Sequence, residues 1–175
     1  PLVVTTGFDR PNLFFSVMQP KNKSIELMKL IKERKNESGI VYCSTRKAVE
    51  EVCELLQKNG FAATRYHAGL DENERRRNQD DFVYDRATIM VATNAFGMGI
   101  DKSNVSFVIH YNMPKNMESY YQEAGRAGRD GQAIAFCSEE ERPLLKDILK
   151  LTGLELDPDS GELAPAQNSR KKPAG

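Results

Sequence analysis

Two arginines three residues apart, Arg126 and Arg129, stand among Gly125, Gly128 and Gly131 in the stretch YYQEAGRAGRDG at 120–131, with Asp130 beside them. Each glycine costs about 1 kcal/mol against alanine in a helix interior, so the spacing favours a loop. A loop without Cβ atoms brings its backbone close to an anion, and guanidinium forks pair with phosphate oxygens in two parallel hydrogen bonds. A solvated Gly/Arg turn would have the same composition. The argument for chemistry comes from what lies upstream.

Four polar segments each follow a short apolar run: Ser44-Thr45-Arg46-Lys47 after GIVYC, His67-Ala68-Gly69-Leu70 after ATRY, Thr93-Asn94 and the glycine-bearing stretch to Asp101 after TIMVA, and Asn112-Met113-Pro114 after VIHY. In an open α/β sheet, ligands gather at the carboxyl ends of the strands. Four such segments, the last leading into the Gly/Arg loop, are read as one functional rim. Each residue also has a plainer reading. Ser44 and Thr45 are equally a helix cap and a phosphate contact. His67 is as readily a turn histidine, His110 sits mid-strand as a structural one, and Arg75-Arg76-Arg77 is most simply a solvated helix face. Gly97 and Gly99 with Asp101 give a loop able to approach a backbone or a sugar hydroxyl.

Some chemistries are excluded. Two separated histidines and three dispersed cysteines match no metal-ligand spacing. No G-x-S-x-G turn presents a nucleophile. No G-x-x-x-x-G-K-[ST] loop cradles a phosphate, and no D-E-x-H or D-E-x-D box holds Mg²⁺. The chain therefore has an arginine-rich anion edge without a phosphate cradle.

The elements that must position these residues alternate. Strands are predicted over 13–17, 39–43, 62–66, 88–92, 105–111 and 133–137, and helices over 24–34, from Ser44 to the Asn59-Gly60 stop, from Asp71 to about 84, over 117–124 and over 139–151. Strands separated by helices of this length call for an α/β fold, a mostly parallel sheet with helices on both faces. Residues 1–11 read as an extended connector from something upstream, 12–153 as the domain, and 154–175 as a tail with little to bury and expected disorder.

Bulk composition bounds the rest. The chain of 175 residues has 25 basic and 25 acidic side chains, so a polyanion would be bound through local patches. Residues 137–175 hold eight acids and six bases, leaving the body weakly positive. Cys43, Cys53 and Cys137 are read as reduced, buried thiols of a cytoplasmic protein. No apolar run approaches a membrane span, and neither export nor membrane insertion is expected.

The strings TTGFDRPN, YCSTR, RYHAGL, ATNAFGMGIDK and HYNMPKNMESYYQEAGRAGRDG, over roughly residues 5–131, resemble the RecQ family of DNA helicases. Segments 39–46, 67–70, 91–101 and 121–131 are similar in order and spacing to helicase motifs IV, IVa, V and VI of superfamily 2. The resemblance implies the second RecA-like domain of a two-lobed motor with a three-layer fold. ATP with Mg²⁺ would be held mainly by an absent first lobe. Arg129 would be the arginine finger, with Arg126 beside it on the phosphates or closing the cleft. Gln122 would orient the loop, Gly125, Gly128 and Gly99 would let it approach the nucleotide, and Asp101 would meet ribose or the other lobe. Ser44, Arg46, His67, Gly69, Thr93 and Asn94 would contact the backbone of single-stranded or partly duplex DNA, with 3′-to-5′ travel. The setting implied is DNA repair and recombination in the cytoplasm, at the nucleoid in a bacterium.

After Gly131 the pattern departs. GQAIAFCSEEERPLLKDILKLTG looks more like the closing strand and helix of a DEAD-box RNA helicase, and the zinc-binding cysteine cluster expected of a RecQ protein does not follow. A short form, a fragment and a joined sequence all fit this departure. An RNA-remodelling lobe and a non-catalytic RecA-like nucleic-acid module stand as alternatives.

Overall fold

The computed structural model describes residues 14–94, 96, 102–115, 117–128, 130–152, 154–156 and 163–165. Six strands form one wholly parallel sheet: β1 (Phe14–Met18), β2 (Ser38–Tyr42), β3 (Ala63–Tyr66), β4 (Ile89–Ala92), β5 (Val105–His110) and β6 (Gln132–Phe136), in the order β1-β6-β5-β2-β4-β3. β2 and β4 are buried along their whole length, as expected of strands covered on both faces.

Helices α1 (Lys23–Glu33) and α2 (Arg46–Lys58) cover one face, packing Leu27, Ile31, Val49 and Leu56 against Val41, Val91 and Ile109. The other face carries α3 (Glu72–Val83), α4 (Met117–Ala124) and α5 (Arg142–Thr152), through Phe82, Tyr120 and Leu145 among others. This is the three-layer RecA-like architecture. Gly39 is required near the start of β2, because a Cβ there would lie 2.1 Å from the Phe107 ring.

The predicted boundaries need three adjustments. Thr45, not Ser44, caps α2: its side chain accepts from the Ala48 N–H at 3.1 Å, one residue later than expected. The closing helix begins as a 3₁₀ turn over Glu139–Glu141, where Ser138 and Glu141 cap reciprocally, and becomes α-helical only at Arg142. In the tail, Leu154–Leu156 (β7) and Leu163–Pro165 (β8) pair antiparallel, two strands that the sequence reading did not place.

Candidate nucleic-acid edge and arginine loop

The ends of β2, β4 and β3 lie side by side, with Tyr42 and Tyr66 both in register with Ala92. At about 4.8 Å per strand these ends span roughly 10 Å. The residues that follow them, Ser44, Thr93, Asn94, His67 and Gly69, therefore share one carboxyl edge. Ser44 is exposed and its N–H donates to Asn112 Oδ1 at 2.9 Å, tying the end of β2 to the loop after β5. That loop is anchored from behind, since the Met113 N–H donates to Glu141 Oε2 at 2.7 Å. Thr93 is half-buried, its N–H donating to the Tyr66 carbonyl, and Asn94 beside it is exposed.

The N-terminus of α2 opens onto this edge. Its first turn holds no acid, and Arg46 and Lys47 are exposed there, so the free N–H groups and two cations face solvent together. Arg46 lies beside Gly69, where a Cβ would come within 3.4 Å of Arg46 Cδ. Lys115 lines a pocket of ≈ 160 Å³ at the same edge with Ser44, Asn94 and Asn112. Lys115 was not among the sequence candidates, and Asn112 entered only as part of the polar segment after VIHY, with no role given to it. Their position after a strand was the available signal.

His67 departs from its expected role. Only 5% exposed, it accepts from the Gly69 N–H at Nδ1 (3.0 Å), which leaves Nε2 to donate to Glu50 Oε1 at 2.7 Å. Both ring nitrogens are thus engaged inside the protein, so His67 shapes the edge without offering a nitrogen to a phosphate. Glu50 also pairs with Arg65, which donates in turn to Glu74 at 2.9 Å. Partial burial pushes the Glu50 carboxyl up, but the hydrogen bonds from His67 and Arg65 outweigh it and hold the group below its ordinary value. Glu50 was missed because its partners come from β3 and the loop beyond it, and no local spacing marks them.

The Gly/Arg loop is not on this edge. Helix α4 starts near the carboxyl edge and its eight residues rise about 12 Å, carrying the chain to the opposite edge. There the Gly128 N–H donates to the carbonyl of Val105, first residue of β5, at 2.7 Å, and the Phe14 N–H donates to the Gly131 carbonyl. The single rim read from the sequence is therefore two edges joined by α4. Gly128 is fixed by close approach, since a Cβ would sit 2.9 Å from the Ser103 carbonyl oxygen and 3.3 Å from that of Val105. Asp130 turns the chain into β6 with φ 61°.

Arg126 follows the last residue of α4 and is half-buried, and Gln122 is exposed one turn earlier. Among the described residues Arg34, Arg65, Arg76 and Arg86 pair with acids, whereas Arg126, like Arg46, Arg75, Arg77 and Arg142, makes no ion pair. A guanidinium with no acid partner among the described residues, beside a backbone that admits close approach, is a donor set suited to phosphate. Gly125 donates its N–H to the Tyr121 carbonyl at 2.8 Å and ends the helix. Arg129, Gly99 and Asp101 lie outside the described residues.

Sheet order, layers and arginine loop together define a RecA-like lobe. A family model described as helicase conserved C-terminal domain matches residues 22–131. The chain belongs to that family and is a C-terminal helicase lobe of RecQ type. It is 52% identical over 130 residues to an ATP-dependent DNA helicase RecQ of Bacillus subtilis, covering 74% of this chain and 22% of the relative. The chain thus spans less than a quarter of that relative's length. Among solved structures, it resembles Dbp5 of S. cerevisiae bound to Gle1 and IP6, at 28% identity and a TM-score of 0.76 over 81% of this chain and 40% of that one. It also resembles the isolated C-terminal domain of the DEAD-box protein Dbp5, at 28% identity and a TM-score of 0.69 over 81% and 84%. The DEAD-box likeness expected after Gly131 accords with these neighbours, while the sequence similarity is to RecQ helicases. No helix among the described residues is long and apolar enough to cross a membrane.

Proposed function

We propose that this chain is the second motor lobe of a 3′-to-5′ ATP-dependent DNA helicase, working against a first lobe that holds ATP and Mg²⁺. The observation that carries the reading is Arg126, without an ion pair among the described residues, at the end of α4 and three residues before Arg129 in the sequence. When bound, the nucleotide with its metal supplies the phosphoryl group and the charge that builds on its oxygens. Arg129 and Arg126 place guanidinium donors against that charge, an effect typically worth about 10³–10⁵ in rate. Gln122 orients the loop, Gly125 and Gly128 keep its backbone close, and Gly99 and Asp101 meet the nucleotide from the neighbouring loop.

The carboxyl edge holds the strand. The α2 N-terminus with Ser44 and Arg46, the backbone at Gly69, and Thr93 with Asn94 contact phosphates; His67 sets the position of Gly69. Such contacts place a strand without reading its sequence. Partners are single-stranded or partly duplex DNA and the first lobe, in the cytoplasm or at the nucleoid.

In the assembled motor, Arg129→Ala abolishes ATP turnover while nucleotide binding is largely kept; near-normal turnover removes Arg129 from the finger role. For the edge, Arg46→Ala weakens single-strand binding uniformly across sequences and lowers the slope of log affinity against log salt by about 0.7, one phosphate contact on a single strand. An unchanged slope removes Arg46 from the interface.

A further inference from the structure

Between the two edges lies a buried polar group that neither half of the proposed site uses. Tyr42 and His110 are register partners on adjacent strands, with their rings stacked at 5.4 Å and 18°. Tyr120 of α4 packs against His110 at 5.2 Å. His110 is 1% exposed, and its Nε2 meets Glu123 Oε2 of α4 at 2.7 Å. Around this pair three buried polar atoms, His110 Nδ1 and the Tyr42 and Tyr120 hydroxyls, have no hydrogen-bond partner among the described residues. A buried donor or acceptor left unmade costs about 1–3 kcal/mol, so such a cluster favours any second arrangement that satisfies it.

Its location makes that arrangement consequential. Two residues beyond Tyr42 and His110 stand Ser44 and Asn112, bonded to each other at the strand-binding edge. His110 and Glu123 line the same ≈ 160 Å³ pocket as Ser44, Asn94 and Asn112, so a strand on the edge covers the pocket that opens onto the pair. On the far side, the Arg126 N–H donates to the Glu123 carbonyl at 3.2 Å. Burial is the main cause that pushes the Tyr42 hydroxyl well above its ordinary value, with the charge of Glu123 adding to it and that of Arg126 opposing it. Contact is continuous from the strand edge, through Tyr42 and His110, to Glu123 and the arginine turn.

We propose that the His110–Glu123 pair, with the Tyr42 and Tyr120 hydroxyls, is a positioning hub that couples strand occupancy at the Ser44–Asn112 edge to the placement of the α4 arginines. It rests on the motor-lobe reading above. Glu123 fixes the rotation and height of α4 against β5, and rearrangement of the hub moves the turn that carries Arg126. These residues touch neither strand nor nucleotide.

The test is made in the two-lobed motor, with turnover measured with and without saturating oligothymidylate. Two variants separate coupling from folding. The pair replaced together by H110F/E123L removes a buried hydrogen-bonded pair without stranding either partner, a change that can be nearly neutral or stabilising. Y42F removes only an unpartnered hydroxyl and leaves the packing. Both are expected to keep melting temperature, strand affinity and KM for ATP near wild type. In H110F/E123L the strand-stimulated kcat falls about tenfold, a coupling of about 1.4 kcal/mol, and in Y42F it falls in the same direction. If both fold and both keep wild-type stimulation, the hub is merely structural and the inference is overturned. If H110F/E123L fails to fold, Y42F decides in the same way. If the unmodified motor is not stimulated by the strand at all, the motor-lobe reading itself fails and the hub falls with it.

Discussion

Glu50 accepts from two cationic or ring donors at once, His67 and Arg65, and through Arg65 is linked to Glu74. Because its carboxyl titrates below the ordinary value, the stability it contributes is fully present above the unfolded glutamate value, near pH 4. That stability is lost as the pH falls through the lower folded value. Thermal unfolding between about pH 6 and 3 should show a steeper decline for the wild type than for Glu50→Gln, and parallel curves would remove the network from the stability of the edge. Gly128→Ala sets a methyl against two carbonyl oxygens of backbone, which cannot swing away as a side chain would. A loss of roughly 1–3 kcal/mol in urea unfolding is expected, as for other overpacking changes, and a loss under 0.5 kcal/mol contradicts the close approach. Residue types that do chemistry were legible where they cluster along the chain, as in the Gly/Arg loop and the Ser-Thr-Arg-Lys run. Their partners were not. Glu50 and Glu123 meet His67 and His110 only after β-strand and helix have packed, and nothing local announces such a meeting.

At the scale of elements, apolar runs made every strand of the main sheet readable and apolar periodicity made helices such as α1 and α2 so, while α3, whose only apolar residues are Phe82 and Val83, was legible from its Asp71 cap. The capping residue of α2 was displaced by one, since Ser44 and Thr45 are equally good caps by type and only the packing of the chain end selects between them. Thr45→Ala should cost about 1 kcal/mol by loss of its bond to the Ala48 N–H. The melting temperature should then fall by roughly 2–8 °C, and an unchanged melting point would mean that another group caps the helix. What the sequence concealed is the length of α4 set against the sheet. Eight helical residues take the chain from one edge to the other, so segments that follow strands in the sequence need not share an edge. Helix α4 consequently has one end near the strand-binding pocket and the other at the arginine turn, as β5 does through His110 and Val105.

At the scale of the whole molecule, the lobe offers cations at two edges and has among its residues no Walker A loop to hold the phosphates those cations suit. Its balanced charge, 25 bases against 25 acids, puts the burden of recognition on placement. Both edges are held from behind: the carboxyl edge by Glu50 and Glu141, the arginine turn by the Val105 carbonyl and Glu123. A rigid lobe of this kind is suited to act as a unit that closes on another lobe. The most direct measurement is ATP turnover by a Walker A-bearing first lobe in the presence of single-stranded DNA, alone, with this chain, and with its Arg129→Ala form. The account predicts no turnover by this chain alone, strong stimulation when it is added to the first lobe, and loss of about 10³-fold or more of that stimulation with Arg129→Ala. Turnover by this chain alone, or stimulation undiminished by the substitution, would contradict it.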